Sequence, residues 1–239
     1  ANGLRHVSTP AYMVVGVYLL KSSFAVRELG REALRVGGSL GRGALGEAQQ
    51  VLQSLVSRDT SGLSPEMAAS AAVESVAENT TDGFVAPWLA FALFGLPGAV
   101  AYRAVNTLDS MIGYHGHYEY IGKAAARLDD FLNFIPSRLA ALLIVVSACS
   151  RGLAAARRAW HLMLRDRGKT GSPNAGWTMS AMAGALGVQL QKVDYYKLGE
   201  PLHPIAAADI EDAVRMMRWV AGLSFLFTVT ILVLRHGLF

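Results

Sequence analysis

The 239-residue chain holds one cysteine and little charge: Asp, Glu, Lys and Arg together make up 17% of it, against 52% hydrophobic residues. A lone thiol excludes a disulfide framework, and Cys149, inside an apolar run, reads as a buried inert group. Soluble globular domains carry more charge than this, so the apolar surplus faces something other than water. A Walker A sequence, a Rossmann glycine fingerprint, an HExxH pair and a Ser-His-Asp arrangement are all missing. So are strand alternation, internal repeats and low-complexity tracts. His115-Gly116-His117 has no third ligand close by and reads as a polar loop rather than a metal site. The net charge of +4 is a weak argument for nucleic acid; in so apolar a chain, extra Lys and Arg mark cytoplasmic loops. The start, Ala1-Asn2-Gly3, is neither an initiator nor a signal peptide and reads as the interior of a longer protein.

What is present is a set of uncharged runs. Trp219–Leu234 has no charge, and with Leu238 and Phe239 it approaches the ~20 residues a bilayer needs. Trp219 and Arg235 suit its two interfaces. Phe84–Tyr102 contains Pro87 and Pro97, which predicts a kinked or re-entrant element. Further candidate spans are Phe134–Ser150, Gly171–Gln191 and the end of a span at Ala11–Leu20. In the fourth, Gly184 and Gly187 with Ala181 and Ala183 let helices approach closely. Between the runs lie polar helices. Arg27, Arg31 and Arg35, with Glu28 and Glu32, mark a solvated or headgroup-facing surface, and Arg151–Lys169 is a basic amphipathic stretch for the cytoplasmic membrane face. The fold class this predicts is all-α: a polytopic membrane helical bundle with re-entrant or kinked segments and amphipathic surface helices.

The polar residues gather in four clusters. Glu74, Glu78 and Asp82 stand four apart, on one face of a helix, near Arg58-Asp59-Thr60-Ser61 and Asn79. Like charges so spaced cost about 0.2–0.5 kcal/mol per pair, so a cation belongs nearby, either Arg, Lys or a Mg²⁺ held through carboxylates and phosphates. Asn106, Asp109 and Ser110 share a second face, and Arg127-Leu128-Asp129-Asp130, with Asn133 and Arg138, forms the third cluster. Arg165-Asp166 with Ser172-Pro173-Asn174 is the fourth; Ser172 and Asn174 can cap a following helix, whose N-terminus also attracts phosphate. A carboxylate at a bilayer centre costs ~2.5–3.5 kcal/mol, so Glu74, Glu78, Asp82, Asp109, Asp129 and Asp130 belong either in a wet, cation-containing site or in ion pairs with Arg103, Arg127 and Arg138.

These strings, in this order, resemble the CobD/CbiB family of cobalamin biosynthesis, the membrane-bound adenosylcobinamide-phosphate synthases. The likeness runs through Val56–Ser61, Val73–Gly83, Ala104–Tyr114, Ala126–Asp130, Ser172–Asn174 and Ala183–Gln189. It implies an ATP-dependent amide ligase joining adenosylcobyric acid to aminopropanol or its O-phosphate, with ATP and Mg²⁺ as cofactors and an acyl-phosphate route. On this resemblance Glu78, Asp82, Asp109 and Asp130 are the expected catalytic residues. Arg58, Asp59, Thr60, Asn79, Asn106, Ser110, Arg127, Arg138, Arg165, Ser172 and Asn174 are the expected substrate and nucleotide contacts. The six acids named above are the expected Mg²⁺ ligands. The implied partners are the corrinoid, the amine and the bilayer, with no nucleic acid, and a second copy or other membrane enzymes of cobalamin assembly. The chain reads as one membrane-embedded domain without the N-terminal membrane region, bearing a Gly-Asp-Pro element and a His-Pro pair, of relatives. Its site is expected at the cytoplasmic face of the inner membrane, so that Phe84–Tyr102 and Phe134–Ser150 both re-enter or pack inside the protein rather than cross. The rival readings are an AmpE-like membrane sensor and a Mg²⁺-dependent UbiA-type prenyltransferase. The second needs repeated four-spaced aspartates, but Gly113 follows Asp109 at that spacing.

Overall fold

The computed structural model describes residues 9–112 and 119–237, so the His115/His117 pair lies outside the described residues. Helix α1 (Thr9–Ser22) leads into α2 (Val26–Gly41) and α3 (Leu45–Leu52). In α2 the charged residues point out, where Arg31–Glu28 (2.5 Å) and Arg35–Glu32 (3.1 Å) pair along the helix. Leu29, Gly30, Ala33, Val36 and Gly37 form the buried seam. Its glycines let α9 (Ala207–Gly237) approach: a Cβ on Gly30 would sit 3.3 Å from Met217 and Val214 side-chain carbons.

Helix α4 (Pro65–Thr80) starts on a Ser64 cap that accepts from the Met67 N–H at 3.3 Å, with Pro65 in the first turn. Ala68 to Ala77 are all buried, which makes α4 the central helix of the core. It runs into a π-helical turn, Thr81–Val85, and then into α5 (Ala86–Ile112). Gly95 breaks α5, with φ 69° and ψ −161°, a conformation open essentially to glycine alone. The two arms fold back on each other there. A Cβ on Gly98 would lie 2.7 Å from the Ala90 carbonyl oxygen, and the Tyr102 hydroxyl reaches within 3.4 Å of Asp82. An unbroken helix would hold residues 82 and 102 ~30 Å apart. The Phe84–Tyr102 run is therefore a helical hairpin that re-enters. The apolar part of its first arm, 84–94, rises only ~16 Å, short of the ~30 Å hydrocarbon core. Arg235 donates to the carbonyls of Ala92 (3.3 Å) and Leu93 (3.0 Å), which the break leaves without helical partners.

Among the described residues, three stretches are long and apolar enough to cross a membrane: Pro65–Met111, Gly122–Arg151 and Ala207–Arg235. The first is the one folded at Gly95. Val14, Val17, Tyr18, Phe94, Leu142, Val146, Phe225, Leu226, Val233 and Leu234 are exposed apolar residues on α1, α5, α6 and α9, as a protein held in a bilayer requires. Two expectations need correction. Of the two forms expected for Phe134–Ser150, re-entry is excluded, because the run is the second half of a continuous helix, α6 (Glu119–Ser147), which carries Pro136 without a break. The charge that argued for re-entry is satisfied in place, because Arg138 donates to Phe134 O (2.6 Å) and Asn174 Oδ1 (2.9 Å) and lies over the Phe134 and Trp177 rings. Gly171–Gln191, expected as a span, is not one. It contains α8 (Ala175–Leu186), only ~18 Å long and buried from Ala175 to Leu186 except for the half-buried Trp177. It packs on α7 (Leu153–Asp166) so closely that a Cβ on Gly184 would sit 2.7 Å from Ala159 Cα.

Helix α7 buries Ala155, Ala156, Ala159, Leu162 and Met163, and shows Leu153, Arg157, Trp160 and Leu164 outward, the amphipathic division its sequence predicts. Cys149, expected buried, is exposed in the short turn between α6 and α7. After α8 comes an antiparallel hairpin absent from the sequence reading: β1 (Gln189–Lys192) and β2 (Tyr196–Gly199). Leu190 and Leu198 pair and are buried, and Asp194 in the tip takes the left-handed conformation at φ 62°.

Candidate functional site

The π turn, the α5 hairpin, α6 and the β-hairpin together enclose a polar trough with two adjoining compartments, of about 590 and 930 Å³. Glu78, Asp82, Asp109, Lys192 and Tyr196 line both. Arg58, Glu74, Asn79, Asn106 and Ser110 complete the smaller, and Asp129, Asp130, Asn133, Ser172 and Asn174 the larger. The four expected catalytic acids thus line one cavity, although Glu78 and Asp130 lie far apart in sequence. The Gly95 reversal is what permits this, since it returns Asp109 toward the π turn that carries Asp82.

The acids differ in how they are held. Glu74 is buried and accepts from Ser70 Oγ (2.9 Å), Tyr196 Oη (3.0 Å) and Arg58 (3.3 Å). Asp129 accepts from Asn133 Nδ2 (2.9 Å) and Asn106 Nδ2 (3.3 Å); Tyr102 donates to Asn133 Oδ1 at 2.7 Å, and Arg103 to Asn106 Oδ1 at 3.1 Å. Each amide is oriented from behind and can only donate to the carboxylate. Asp130 accepts from Ser172 Oγ (3.1 Å) and Asn174 Nδ2 (3.2 Å). By contrast, among the described residues Glu78 and Asp109 have no hydrogen-bond or ion-pair partner, and Asp82 has only the long contact to Tyr102.

Several expected contacts stand elsewhere. Thr60 is buried and donates to the Gln49 carbonyl (2.8 Å), tying a loop to α3. Asp59 is exposed and closes a turn on Ser61; the Ser61 N–H and hydroxyl hold its carboxyl below the ordinary carboxylate range. Arg127 is exposed and lines neither compartment. Arg138 sits behind the larger compartment on Asn174, and Arg165 is engaged by Asp166 (2.8 Å) and Glu200 (2.5 Å). Asn174 takes the N-cap position of α8 without capping it, because its side chain is spent on Asp130, Ser137 and Arg138. Asp166 is fully buried and receives Arg165, Lys169 (2.6 Å) and the Gly199 N–H (2.8 Å). Burial alone would push its carboxyl up, but these donors outweigh burial and hold it well below the usual range.

Sequence reasoning missed Tyr102, Lys192 and Tyr196. The last two ride on the unforeseen hairpin, and Tyr102 was hidden in an apolar run. Burial, then the Glu74 charge, raises the Tyr196 phenol above its ordinary range, so it stays protonated and donates. Among the described residues no three His, Cys, Asp or Glu side chains converge as a metal-binding group, so the six acids do not form one coordination shell. The partnerless carboxylates are hard oxygen donors and fit a Mg²⁺ bound through one or two of them, with phosphate and water completing its shell.

A match to the family described as CobD/Cbib protein covers residues 2–217. A cobalamin biosynthesis protein CobD from Dehalococcoides mccartyi is 50% identical over 202 residues, 84% of this chain and 65% of the relative. A probable CobD from Methanothermobacter thermautotrophicus is 44% identical over 214 residues (89% and 71%), and a CbiB from Salmonella choleraesuis 42% over 220 (87% and 67%). The chain thus spans about two thirds of the length of these relatives. No solved structure matches.

Proposed function

The chain belongs to the CobD/CbiB family of cobalamin biosynthesis proteins, and from that premise we propose that it is an ATP-dependent amide ligase, joining a propionate carboxylate of adenosylcobyric acid to (R)-1-amino-2-propanol or its O-phosphate. The observation that carries the proposal is the trough: three carboxylates with few or no partners among the described residues, flanked by acids that each accept two or three hydrogen bonds. An unpartnered carboxylate in a wet cleft can hold an ammonium group and take its proton; one already accepting three bonds cannot.

A propionate carboxylate does not react with an amine at neutral pH. Its oxygen must first take the terminal phosphoryl group of ATP, releasing ADP; the amine nitrogen then attacks the acyl carbon and inorganic phosphate leaves. On this reading Glu78 and Asp109, without hydrogen-bond partners among the described residues, bind the incoming ammonium and accept the proton lost as the amide forms. Asp129 and Asp130, fixed by Asn106, Asn133, Ser172 and Asn174, shape the wall where the larger partner lies. Mg²⁺, held through Asp82 with Glu78 or Asp109, would neutralise phosphate charge. The trough faces the cytoplasm, where ATP is.

The test is the full chain in detergent or nanodiscs with adenosylcobyric acid, MgATP and either amine. Stoichiometric ADP release and a corrinoid of the amide's mass are expected. Folded protein that forms neither product would overturn the assignment.

A further inference from the structure

Among the described residues, three cationic side chains line the trough: Arg58, Lys169 and Lys192. Lys169 is taken by Asp166 at 2.6 Å, and Arg58 bonds Glu74 at 3.3 Å. Lys192 borders both compartments and, among the described residues, has no carboxylate within ion-pair distance; its ammonium rests 4.6 Å from the Tyr195 ring centre. The hairpin register aims it. Lys192 pairs with Tyr196, so the two side chains leave the same face of the ribbon, the face whose inner pair is the buried Leu190 and Leu198. The Tyr196 hydroxyl ends on Glu74 Oε2, the oxygen that also accepts from Arg58. Lys192 and Arg58 therefore share one wall. Arg58 still has binding capacity: among the described residues only its Nη2 is bonded, to Glu74, which leaves Nη1 unengaged.

We propose that this wall is a phosphate-binding subsite, with Arg58 as its fixed cation and Lys192 as the ammonium that closes on a phosphate-bearing substrate. A trough otherwise lined by Glu78, Asp82, Asp109, Asp129 and Asp130 repels anions, and two cations on one wall define where a dianion is tolerated. The guanidinium fork offers planar N–H donors and the ammonium a point charge on a flexible stem, a pairing suited to phosphate oxygens. The smaller compartment, about 590 Å³, has room for a nucleotide's phosphates or an amino-alcohol phosphate. The hairpin is anchored at its base, where the Gln191 N–H donates to Ser70 Oγ at 2.9 Å, while Val193 and Tyr195 at its tip are exposed. The substrate class rests on the ligase reading; the placement of the cations does not.

Calorimetric titration of the full chain in detergent tests this with ATP, the amino-alcohol phosphate and the unphosphorylated amino alcohol as separate ligands. Lys192→Met is expected to weaken at least one phosphate-bearing ligand by ten-fold or more, leave the unphosphorylated amine within two-fold, and keep the wild-type melting temperature. Lys192→Arg should restore most of the loss, and Arg58→Lys should weaken the same ligand. Whichever phosphate ligand responds identifies the source. Lys192→Met with unchanged affinity for both phosphate ligands, or a wild type that binds neither, overturns the subsite. Binding that responds to Lys192 without amide formation leaves the subsite standing and removes the ligase reading. Amide formation indifferent to Lys192 does the reverse.

Discussion

Asp166 and Asp109 are aspartates near the ends of helices, and the protein treats them in opposite ways. Asp166 is completely buried and accepts from two cationic side chains and a backbone N–H, joining α7 to the end of the β-hairpin. Asp109 is half-buried at the trough and, like Glu78, meets no partner among the described residues. A carboxylate whose lone pairs are filled stabilises a fold and is lost to chemistry. One whose lone pairs are empty does little for the fold and stays available to a substrate. The contrast separates structural from working acids more sharply than burial alone, because Glu74, Asp129 and Asp130 line the same trough and are nonetheless tied.

The largest expected effect lies on the free side. Glu78→Gln and Asp109→Asn should each lower the specificity constant for amide formation by ~10²–10⁴, the usual worth of a positioned acid or base, with melting temperatures unchanged. Near-normal turnover in both would erase the distinction. Asp166→Asn should do the opposite. It removes a charge-assisted set and should cost about 2 kcal/mol, since its exposed partners regain water, while activity per folded molecule persists; chemical denaturation against turnover reads both. Tyr102→Phe probes the middle ground, where one hydroxyl donates to Asn133 and grazes Asp82. A loss of about 1 kcal/mol in stability with a several-fold fall in turnover is expected. An effect on stability alone would place Asp82 among the structural acids.

The smallest effect is in pH. The folded state holds Asp166 below its unfolded value, so its contribution is present above the unfolded carboxylate pKa and is lost as pH falls through the folded one. Melting temperature should therefore drop in acid for the wild type and less steeply for Asp166→Asn. His203 has the opposite sign. Hydrogen bonds with the Pro204 and Leu186 carbonyls raise it, so its contribution is present below the unfolded pKa and fades as pH rises through the folded one. His203→Gln should flatten the stability profile above the unfolded histidine pKa.

Much of this was legible in the sequence. Helix periodicity, the paired charges on α2 and the amphipathic α7 follow from residue spacing; a bend in Phe84–Tyr102 was expected from its two prolines, but the chain turns at Gly95. The acid clusters were visible because carboxylates beside apolar runs are costly wherever they are not needed. Misreadings came where lack of charge was taken for contact with lipid. Gly171–Gln191 is uncharged because protein encloses it, and a run of small residues looks alike in either setting. The β-hairpin escaped notice because Gln189–Lys192 and Tyr196–Gly199 are four residues each, too short to show alternation.

By itself the sequence determined the family, the helical class, the membrane character and the set of polar residues from which a site could be drawn. Those depend on composition, order and local spacing, which the chain states directly. Which acids are tied and which are free was decided only in three dimensions. Asp129 is met by Asn106 from another helix, Glu74 by Tyr196 from the hairpin, and Asp166 by Gly199 more than thirty residues on, whereas Asp109 meets no such donor among the described residues. A hydrogen bond exists only where donor and acceptor come within ~3 Å, and it was the reversal at Gly95 and the register of the hairpin that set which of them did.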